Sequence, residues 1–533
     1  MEFLMSVSAT QHVAPVAAAG EIAQGRRWRL YRAVWRWHFY AGLLVLPFIA
    51  WLALTGAAFL YHDAIDRTAH QALKVVPVGP ARLPAQQLVD AAQRAQAGTV
   101  FRYTTPDRAD ASAEIGVLRT DGAREVVYVD PYSGRALGML PEHGTLAWTI
   151  RRLHSLDLLG PLARGLIEMA AGWAIVLVLT GVYLWWPRGR RSGVVSVRGR
   201  PAQRVFWRDL HAVTGAGVGA VLLFLALTGM PWSWLWGAQV NRWVNGHDFG
   251  YPAGLRVQLP MSQQRLTDSG EPSWSLRQAR LPQSTLPPDR PMPMPMAMGA
   301  ADAMAPAMAH AARAAHSEHN AHAAHAAHVA RASQTDTAHA EHAAHAEHAA
   351  HGGGSGLGEA PGVGALGLDA ALARFDARGI AAGYSVALPR GASGVYTASV
   401  YPDDLQRQRV IHLDQYSGAV LLDMRYRDYG PLAQALEWGI NVHLGQQYGT
   451  ANQLLLLLAC AAIVLLCVSA AVMWWKRRPV GGLGVPPLPA DPRTLRGVLA
   501  LLVLCGLLFP LMGASLLLLW AFDHYWSVRR LRR

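Results

Sequence analysis

Five long apolar runs alternate with polar segments along the chain. The runs lie at approximately 38–61, 165–186, 211–236, 452–475 and 497–520. A transmembrane helix needs roughly 20 apolar residues, so each run is long enough to cross a bilayer. The two long segments between them, 62–160 and 237–448, contain stretches with the alternating positions typical of half-buried strands. The pattern predicts an integral membrane α-helical bundle with two small α+β domains outside the membrane.

Composition and charge agree with a membrane protein and predict its orientation. Of the 533 residues 52% are hydrophobic and 16% charged, and the formal net charge is +13. Because Lys and Arg collect on the cytoplasmic side, segments 1–37, 187–204 and 476–496 are expected in the cytoplasm. Segments 62–160 and 237–448 are then periplasmic, in a bacterial inner membrane that the chain crosses several times. Nucleic-acid binding is disfavoured because a soluble basic domain is missing.

The fifth run, 497–520, fits this topology less well than the others. As one span it leaves the arginines near residue 530 outside, against the charge rule. Gly506, Pro510 and Gly513 could break the run into a re-entrant hairpin, but its length is short for two passes. We expect one kinked span, and the side of the C-terminus stays open.

Two histidines recur in the same local setting. His38 lies four residues before a glycine and seventeen before Thr55, in the motif Leu-Ala-Leu-Thr-Gly. His211 has the same glycine and the same motif, with Thr228, at the same distances. Both histidines fall at the predicted cytoplasmic edge of a span. A duplicated unit with a histidine at one register indicates paired ligands on a pseudo-two-fold axis, and haem iron is the obvious occupant.

A second histidine pair repeats on the other side. His154 and His443 each precede a glycine by six residues and a Trp-Trp dipeptide by thirty-one. Thirty-one helical residues cover about 46 Å, more than the roughly 30 Å hydrocarbon core. These two histidines are therefore expected near the outer surface, where His62 at the end of the first run is their main competitor. Arg151, Arg152 and Arg164 nearby suggest contacts to haem propionates or lipid head groups. Glu168 and Glu437 either hydrogen-bond a ligand histidine or, as the simpler interpretation, lie on plain helix surface.

The outer segments repeat as well. Residues 82–97 and 366–379 read as helices, and 113–138 reads as strands. Asp-x-Tyr-Ser-Gly occurs at 130–134 and again at 414–418, each time after an alternating run. The unit of helix, small outer domain and helix therefore occurs twice in one orientation. Such a tandem parallel repeat has its axis along the membrane normal.

The histidine chemistry fits b-type haem better than other centres. Histidine on both faces of haem b gives a low-spin electron carrier without covalent attachment, and Cys-x-x-Cys-His is absent from the sequence. Cys460, Cys467 and Cys505 all lie in apolar runs and indicate neither disulfides nor a thiolate metal site. A polar residue in lipid is usually functional, but an interfacial histidine that reaches water is the simpler alternative.

An insertion at about 260–362 interrupts the second outer segment with Pro, Met, Ala and His. Its composition predicts disorder. Thioethers suit copper(I) and imidazoles suit copper(II), zinc, nickel or iron, so copper or another transition metal is the expected ligand if the segment binds metal. An inert linker is the alternative. The candidate metal ligands are His310, His316, His319, His322, His325, His328, His339, His342, His345, His348, His351, Met292, Met294, Met296 and Met298.

Several motifs resemble the PepSY-associated transmembrane proteins over roughly 28–260 and 363–480. They are Trp37-His38-x3-Gly42, Leu54-Thr55-Gly56, Asp130-x-Tyr132-Ser133-Gly134, Trp207-Arg208-Asp209-Leu210-His211-x3-Gly215 and Trp474-Trp475-Lys476-Arg477. The family includes inner-membrane ferric-siderophore reductases, and that branch binds b-type haem within its helix bundle. The resemblance implies two PepSY-like periplasmic domains and a haem-dependent metal reductase.

The resulting hypothesis is a protein with two haems that passes electrons outward to a ferric siderophore or another metal chelate. Phosphate loops, hydrolase elbows and nucleotide fingerprints are missing, so the donor must be another protein, a quinol or a soluble reductant. A copper-binding membrane protein without redox activity is the first alternative. A PepSY-type accessory or inhibitory protein is the second.

Overall fold

The computed structural model describes residues 14–187, 194–246, 260–287, 361–480, 484–485 and 492–531. The helices among them are α1 (Ala14–Phe59), α2 (His62–Ala69), α3 (Gln71–Lys74), α4 (Ala85–Ala95), α5 (Leu146–His154), α6 (Pro161–Trp185), α7 (Arg204–Gly229), α8 (Trp236–Gly246), α9 (Leu368–Ala377), α10 (Pro431–His443), α11 (Gly449–Arg477), α12 (Pro492–Leu508) and α13 (Pro510–Leu531). The strands are β1 (Thr99–Thr104), β2 (Ala113–Leu118), β3 (Arg124–Val129), β4 (Ala136–Pro141), β5 (Met261–Arg265), β6 (Arg280–Pro282), β7 (Ser385–Ala387), β8 (Val395–Val400), β9 (Arg409–Asp414) and β10 (Val420–Arg425).

Four helices of the described residues are long and apolar enough to cross a membrane. They are Leu30–Phe59 within α1, Pro161–Trp185, Arg204–Trp232 and Gly449–Arg477. Their apolar windows have a mean hydropathy between 1.9 and 3.0. Such helices satisfy all their backbone hydrogen bonds internally, which the hydrocarbon core of a bilayer requires. The protein is therefore a membrane protein, as the apolar pattern predicted.

The four helices form a bundle in which α1 and α7 occupy opposite corners. Helix α1 packs on α6 and α11, and α7 packs on the same two helices. Fully buried side chains such as Val45 and Trp173 fill the centre. We call the end of the bundle that carries the strands the sheet end, and the opposite end, where Lys476 and Arg477 close α11, the basic end.

The fifth apolar run does not form the single kinked span that we expected at 497–520. It is divided into α12 and α13 around Phe509, and Pro510 begins the second helix. A Cβ added to Gly513 would lie only 2.6 Å from the carbonyl oxygen of Gly506. Seven residues of continuous helix would separate those two backbones by about 10 Å, so the chain folds back at this point. Proline lacks the N–H that would continue the ladder, and the two glycines permit the close contact.

One antiparallel sheet joins the two outer segments, which we had expected as separate small domains. Its strand order is β10-β9-β8-β7-β1-β2-β3-β4. At the centre β1 pairs with β7, with Tyr103 opposite Val386. The halves on either side of this pair contain four strands each, in the same order along the chain.

The sheet has one helix-covered face and one face toward the bundle. Helices α4 and α9 cover the first face, where Ile115, Val127, Ile411 and Leu413 are fully buried. Because successive side chains of a strand point to opposite faces, the neighbours of these residues point toward the bundle. The helices expected at 82–97 and 366–379 are present as α4 and α9, and the strands expected at 113–138 as β2, β3 and the start of β4.

The repeated Asp-x-Tyr-Ser-Gly motif makes the same turn after β3 and after β9. The carboxylate of Asp130 accepts hydrogen bonds from the Tyr132 backbone N–H (2.9 Å) and the Ser133 hydroxyl (2.6 Å). Asp414 accepts the corresponding bonds at 2.9 and 3.1 Å. The final glycines of both motifs have positive φ, 71° and 65°, a conformation that glycine adopts without strain. The motif is thus a turn that starts β4 and β10.

The insertion begins later than we expected. Residues 260–287, assigned to a disordered 260–362, fold into β5, β6 and a 3-10 turn at Trp274–Leu276. Trp274 and Leu276 are almost fully buried, which the Pro-rich composition concealed. On either side of the remaining gap, Thr285 N–H donates to Asp414 (2.7 Å) and Gly362 N–H donates to Gln415 (2.9 Å). Thr285 and Gly362 therefore both lie at the turn after β9.

Candidate functional site

His38 and His211 meet at the basic end of the bundle, on α1 and α7. The two imidazoles lie close enough for their charges to interact. His38 Nδ1 lies 2.8 Å from Thr180 Oγ1 on α6. His211 Nδ1 lies 3.2 Å from both Ser469 Oγ and the Leu466 carbonyl oxygen on α11. We call these two histidines the basic-end pair.

His154 and His443 meet at the sheet end, where they are the last residues of α5 and α10. They too are within electrostatic range of each other. His154 Nδ1 lies 2.9 Å from Thr55 Oγ1, and His443 Nδ1 lies 2.9 Å from Thr228 Oγ1. The threonines of the two Leu-Ala-Leu-Thr-Gly motifs therefore hold this sheet-end pair.

The hydroxyl partners fix which ring nitrogen carries the proton. Thr55, Thr180 and Thr228 each donate their hydroxyl proton to the carbonyl four residues earlier, at 2.7 Å. Ser469 donates to Leu466 at 2.8 Å. A hydroxyl has one proton, so each oxygen must accept from the imidazole Nδ1–H. The tautomer, assigned from this network, leaves every Nε2 with a lone pair available to a ligand.

Glycines lie directly against the imidazole rings. A Cβ added to Gly56, Gly181 or Gly229 would lie 3.4 Å from Cε1 of His154, His38 or His443, respectively. This distance is at the near limit of ordinary van der Waals contact, so each ring lies directly beside the backbone of the neighbouring helix. The glycines four residues after His38 and His211 approach Leu177 and Leu466 on neighbouring helices.

The sheet-end histidines are uncharged at neutral pH. Burial lowers the pKa of His154 to about 4. Burial, with a smaller contribution from the nearby His154, also lowers the pKa of His443 to about 4. Neutral imidazole is the form that binds metal, so no proton has to be displaced from Nε2.

His62, the fifth candidate ligand, is not brought to either pair. Its Nδ1 lies 3.1 Å from the Phe59 carbonyl oxygen, and its ring stacks on the ring of Phe59 at 4.9 Å. Its Nε2 lies 3.5 Å from Asp63. The side chain is therefore engaged at the start of α2, away from the four paired imidazoles.

The nearby charged residues have other partners than those we expected. Glu168 accepts from the Leu235 (2.7 Å) and Trp236 (3.1 Å) backbone N–H groups, and Glu437 from that of Ser275 (2.7 Å). Both carboxylates are buried and position the chain beside the bundle, without contact to a histidine. Arg151 pairs with Glu271, and Arg152 and Arg164 both pair with Asp157.

The histidines and methionines expected as metal ligands between 291 and 351 lie outside the described residues. In the part of the chain that is described, no group of three or more His, Cys, Asp or Glu side chains could hold a metal ion. Each histidine pair offers two nitrogens, which is too few for a closed zinc site. Two axial nitrogens are what haem iron needs, since the macrocycle supplies the other donors.

The four histidines were predicted from the sequence, whereas only two of their hydroxyl partners were. Thr55 and Thr228 were visible in the repeated motif, whereas Thr180 and Ser469 carry no local signal and are recognised only by their place on α6 and α11.

Comparison with known proteins identifies the family to which the chain belongs. No curated protein matches the sequence. The family model described as the PepSY-associated TM region matches residues 35–477, a range that includes all four paired histidines. The chain therefore belongs to the PepSY-associated transmembrane family.

Proposed function

We propose that this protein binds b-type haem and passes electrons across the membrane to a metal chelate. The supporting observation is that four imidazoles form two pairs, each with Nδ1–H bound to a neighbouring oxygen and Nε2 available. When bound, haem supplies an iron centre that takes up and releases one electron. A ligand histidine typically donates its other N–H in this way, which fixes the ring and raises its basicity.

The residues of each pair would hold one haem between them. His38 and Thr55, which contacts His154, are seventeen residues apart on α1, or about 26 Å along the helix. This is close to the roughly 30 Å hydrocarbon core, so the two pairs would serve opposite membrane surfaces. The surrounding apolar core keeps water from the path between them.

The orientation and the repeat are part of the proposal. The basic end faces the cytoplasm of a bacterial inner membrane, because Lys and Arg collect there, and the sheet lies in the periplasm. The two halves, each a PepSY-like domain with its two spans, are tandem parallel copies. The matched order of β1–β4 and β7–β10 supports this, as do the matched Asp turns.

The acceptor is a metal chelate on the sheet side, and ferric siderophore is the main candidate. Siderophores bind iron(II) far more weakly than iron(III), so one-electron reduction releases the metal. This chemistry requires no acid/base pair in the protein. The donor on the basic side is a quinol, a soluble reductant or a reductase protein.

A metal-binding role of the His- and Met-rich segment is the second candidate. The candidate ligands all lie in this part of the sequence, and Thr285 and Gly362, which flank it, donate backbone hydrogen bonds to Asp414 and Gln415. In this alternative, copper capture replaces the reductase activity. An accessory or inhibitory role of the outer domains is the third candidate, and like the second it predicts a colourless bundle.

Absorption spectra of the purified protein test the proposal. We expect a Soret band that sharpens on dithionite reduction, with two haems per chain by pyridine haemochrome. The double variant His38→Ala, His211→Ala should retain one. A colourless wild-type protein, after expression with ample haem, would exclude the reductase and favour the metal-binding alternative.

A further inference from the structure

Helices α12 and α13 follow the range that matches the family, which ends at residue 477. Helix α13 packs on α6, and α12 packs on α1. The apolar part of α13, Pro510–Phe522, covers about 20 Å, which is less than the roughly 30 Å hydrocarbon core. The membrane side on which this pair of helices begins and ends must therefore be deduced from its contacts with the long helices.

The contacts of α13 with α6 give its direction. Near the sheet end of α6, a Cβ added to Gly165 would lie 3.2 Å from Leu511 Cδ1. Closer to the basic end of α6, the Trp173 indole Nε1–H donates to Ser515 Oγ at 2.7 Å. Residue numbers therefore increase in the same direction along both helices, and α13 runs toward the basic end.

The helix lengths bring both ends of the pair to the basic end. Ser515 lies beside Trp173, and sixteen residues, or about 24 Å, separate it from Leu531 at the end of α13. Twelve residues, or about 18 Å, separate Trp173 from Trp185, where α6 ends. Helix α13 therefore extends as far toward the basic end as α6 does. Because the chain reverses at Phe509, the first residue of α12 lies toward the same end.

The tip of the pair is covered by protein. Phe509 is 7% exposed, and Met512 is fully buried. The Phe509 ring lies 5.9 Å from the Trp236 ring between centroids, and a Cβ added to Gly172 would lie 3.3 Å from Met512 Cβ. Irregular backbone at membrane depth is tolerated only where it is buried in protein or lines a water-filled cavity. This burial therefore permits the chain to reverse inside the hydrocarbon core.

The charges at the two ends of the pair agree with this direction. Arg493 and Arg496 lie in the first turns of α12, and Arg529 and Arg530 lie in the last turn of α13. A single span would place one of these basic groups on the side of the sheet, against the preference of Lys and Arg for the cytoplasmic side. A hairpin places both groups at the basic end, with Lys476 of α11.

We infer that α12 and α13 form a re-entrant hairpin that enters the membrane from the basic end and returns to it. The chain after α13 then lies on the same side as the loop after α11, opposite the sheet. The inference goes beyond the proposed function and does not depend on haem. It also removes the conflict between the fifth apolar run and the charge rule.

Thiol labelling of the full-length protein in spheroplasts tests the inference. Single cysteines are introduced by Val480→Cys after α11, Ala123→Cys in the exposed turn between β2 and β3, and Arg533→Cys after α13. The background carries alanine in place of the native Cys460, Cys467 and Cys505. A membrane-impermeant maleimide is applied before and after lysis, and labelling in dodecyl sulfate shows that each thiol can react.

We expect the Arg533→Cys and Val480→Cys variants to react under the same condition and the Ala123→Cys variant under the other. In the proposed orientation, Ala123→Cys reacts in intact spheroplasts and the other two react only after lysis. In a protein of reversed orientation the order inverts, but Arg533→Cys still follows Val480→Cys, so the hairpin and the proposed orientation are tested separately. Reaction of Arg533→Cys together with Ala123→Cys, or only in dodecyl sulfate, would overturn the inference.

Two glycine variants test the contact of the hairpin with α6. Gly172→Leu should displace Met512 and lower the midpoint of thermal unfolding in detergent, because the new side chain meets the hairpin. Gly217→Leu on α7 is the matched control, since a Cβ there has no heavy atom of the described residues within 4 Å, and its midpoint should stay unchanged. Equal midpoints of the two variants would contradict the packing of the hairpin on α6.

Discussion

The two histidine pairs use the same contacts with the roles of the helices exchanged. At the basic end the histidines are on α1 and α7, and the oxygens are on α6 and α11. At the sheet end the oxygens are on α1 and α7, and the histidines are on the short helices α5 and α10. Helices α1 and α7 take part in both pairs. Their rotation about the helix axis and their position along it therefore set the geometry of both sites. The sheet-end pair depends in addition on the elements that join the bundle to the sheet.

The hydroxyl partners of the pairs are also unequal. Both sheet-end imidazoles lie 2.9 Å from threonine, whereas His211 lies 3.2 Å from Ser469 and equally far from the Leu466 carbonyl. Because the Leu466 carbonyl can also accept from His211 Nδ1–H, the orientation of His211 depends less on the Ser469 hydroxyl. Loss of a partner should therefore affect the sheet-end pair more than His211.

The largest effect is expected from removing the sheet-end pair. If each pair holds a haem as proposed, His154→Ala with His443→Ala should lower the haem content from two to one per chain, because both residues that would hold the haem at that end are lost. Reduction of a chelate on the sheet side should stop, since the transfer path is interrupted. Pyridine haemochrome and stopped-flow reduction measure the two effects. His62→Ala is the matched control, and retention of both haems in the double variant would contradict the assignment.

A smaller loss is expected when only the oxygens are changed. Thr55→Val with Thr228→Val keeps the shape but removes the acceptors of Nδ1–H, and haem affinity at the sheet end should fall 10- to 100-fold. Ser469→Ala should cost less, because the Leu466 carbonyl remains. Haem transfer to apomyoglobin measures the affinities. Thr55→Ser with Thr228→Ser should restore haem binding, because serine keeps the hydroxyl acceptor. An equal loss of affinity in the threonine variant and in Ser469→Ala would contradict the expected difference between the two pairs.

Acid should destabilise the sheet domain through a histidine that binds no cofactor. His412 on β9 is 1% exposed, and its Nδ1 lies 2.9 Å from the Thr397 hydroxyl. Burial lowers its pKa from 6.5 to about 4. The unfolded chain therefore takes up a proton first, and stability is lost as pH falls from 6.5 to 4, by about 3 kcal/mol.

Hydrogen exchange of β8 and β9 between pH 7 and 4 measures this loss. His412→Asn should flatten the pH dependence, although it lowers stability at neutral pH. Thr397→Val should preserve the slope, because burial causes the shift. An unchanged slope in His412→Asn would assign the acid sensitivity to other groups.

The smallest effect is expected from shortening the His- and Met-rich segment. Deletion of residues 290–351 should leave haem content unchanged and alter the free energy of unfolding by less than about 1 kcal/mol, because loop closure depends weakly on length. Thr285 and Gly362 remain in this variant and keep their hydrogen bonds to Asp414 and Gln415. Spectra and thermal melting measure this, and titration with copper(I) shows whether metal binding is lost. Loss of haem on deletion would connect the segment to the sheet-end pair.

The hydrophobic pattern by itself determined the four spans, the helices α4 and α9 and the strands around the repeated Asp turn. These features depend on the spacing of apolar positions and on residues close together in the sequence, so they can be predicted from the sequence alone. Within each pair the two histidines have the same spacing to their surrounding motifs, and this predicted the two pairs. In the structure the two members of each pair lie near each other. Haem itself stays a prediction.

Only the tertiary structure decided which distant elements meet. The pairing of β1 with β7 joins strands some 280 residues apart, and no local pattern encodes that choice. The same holds for Thr180 and Ser469, which look like ordinary polar residues of a span until a histidine from another helix reaches them. The burial of Trp274 also depends on neighbours far along the chain. Periodicity fixes the elements and their faces, whereas partners follow from packing, which the linear sequence does not display.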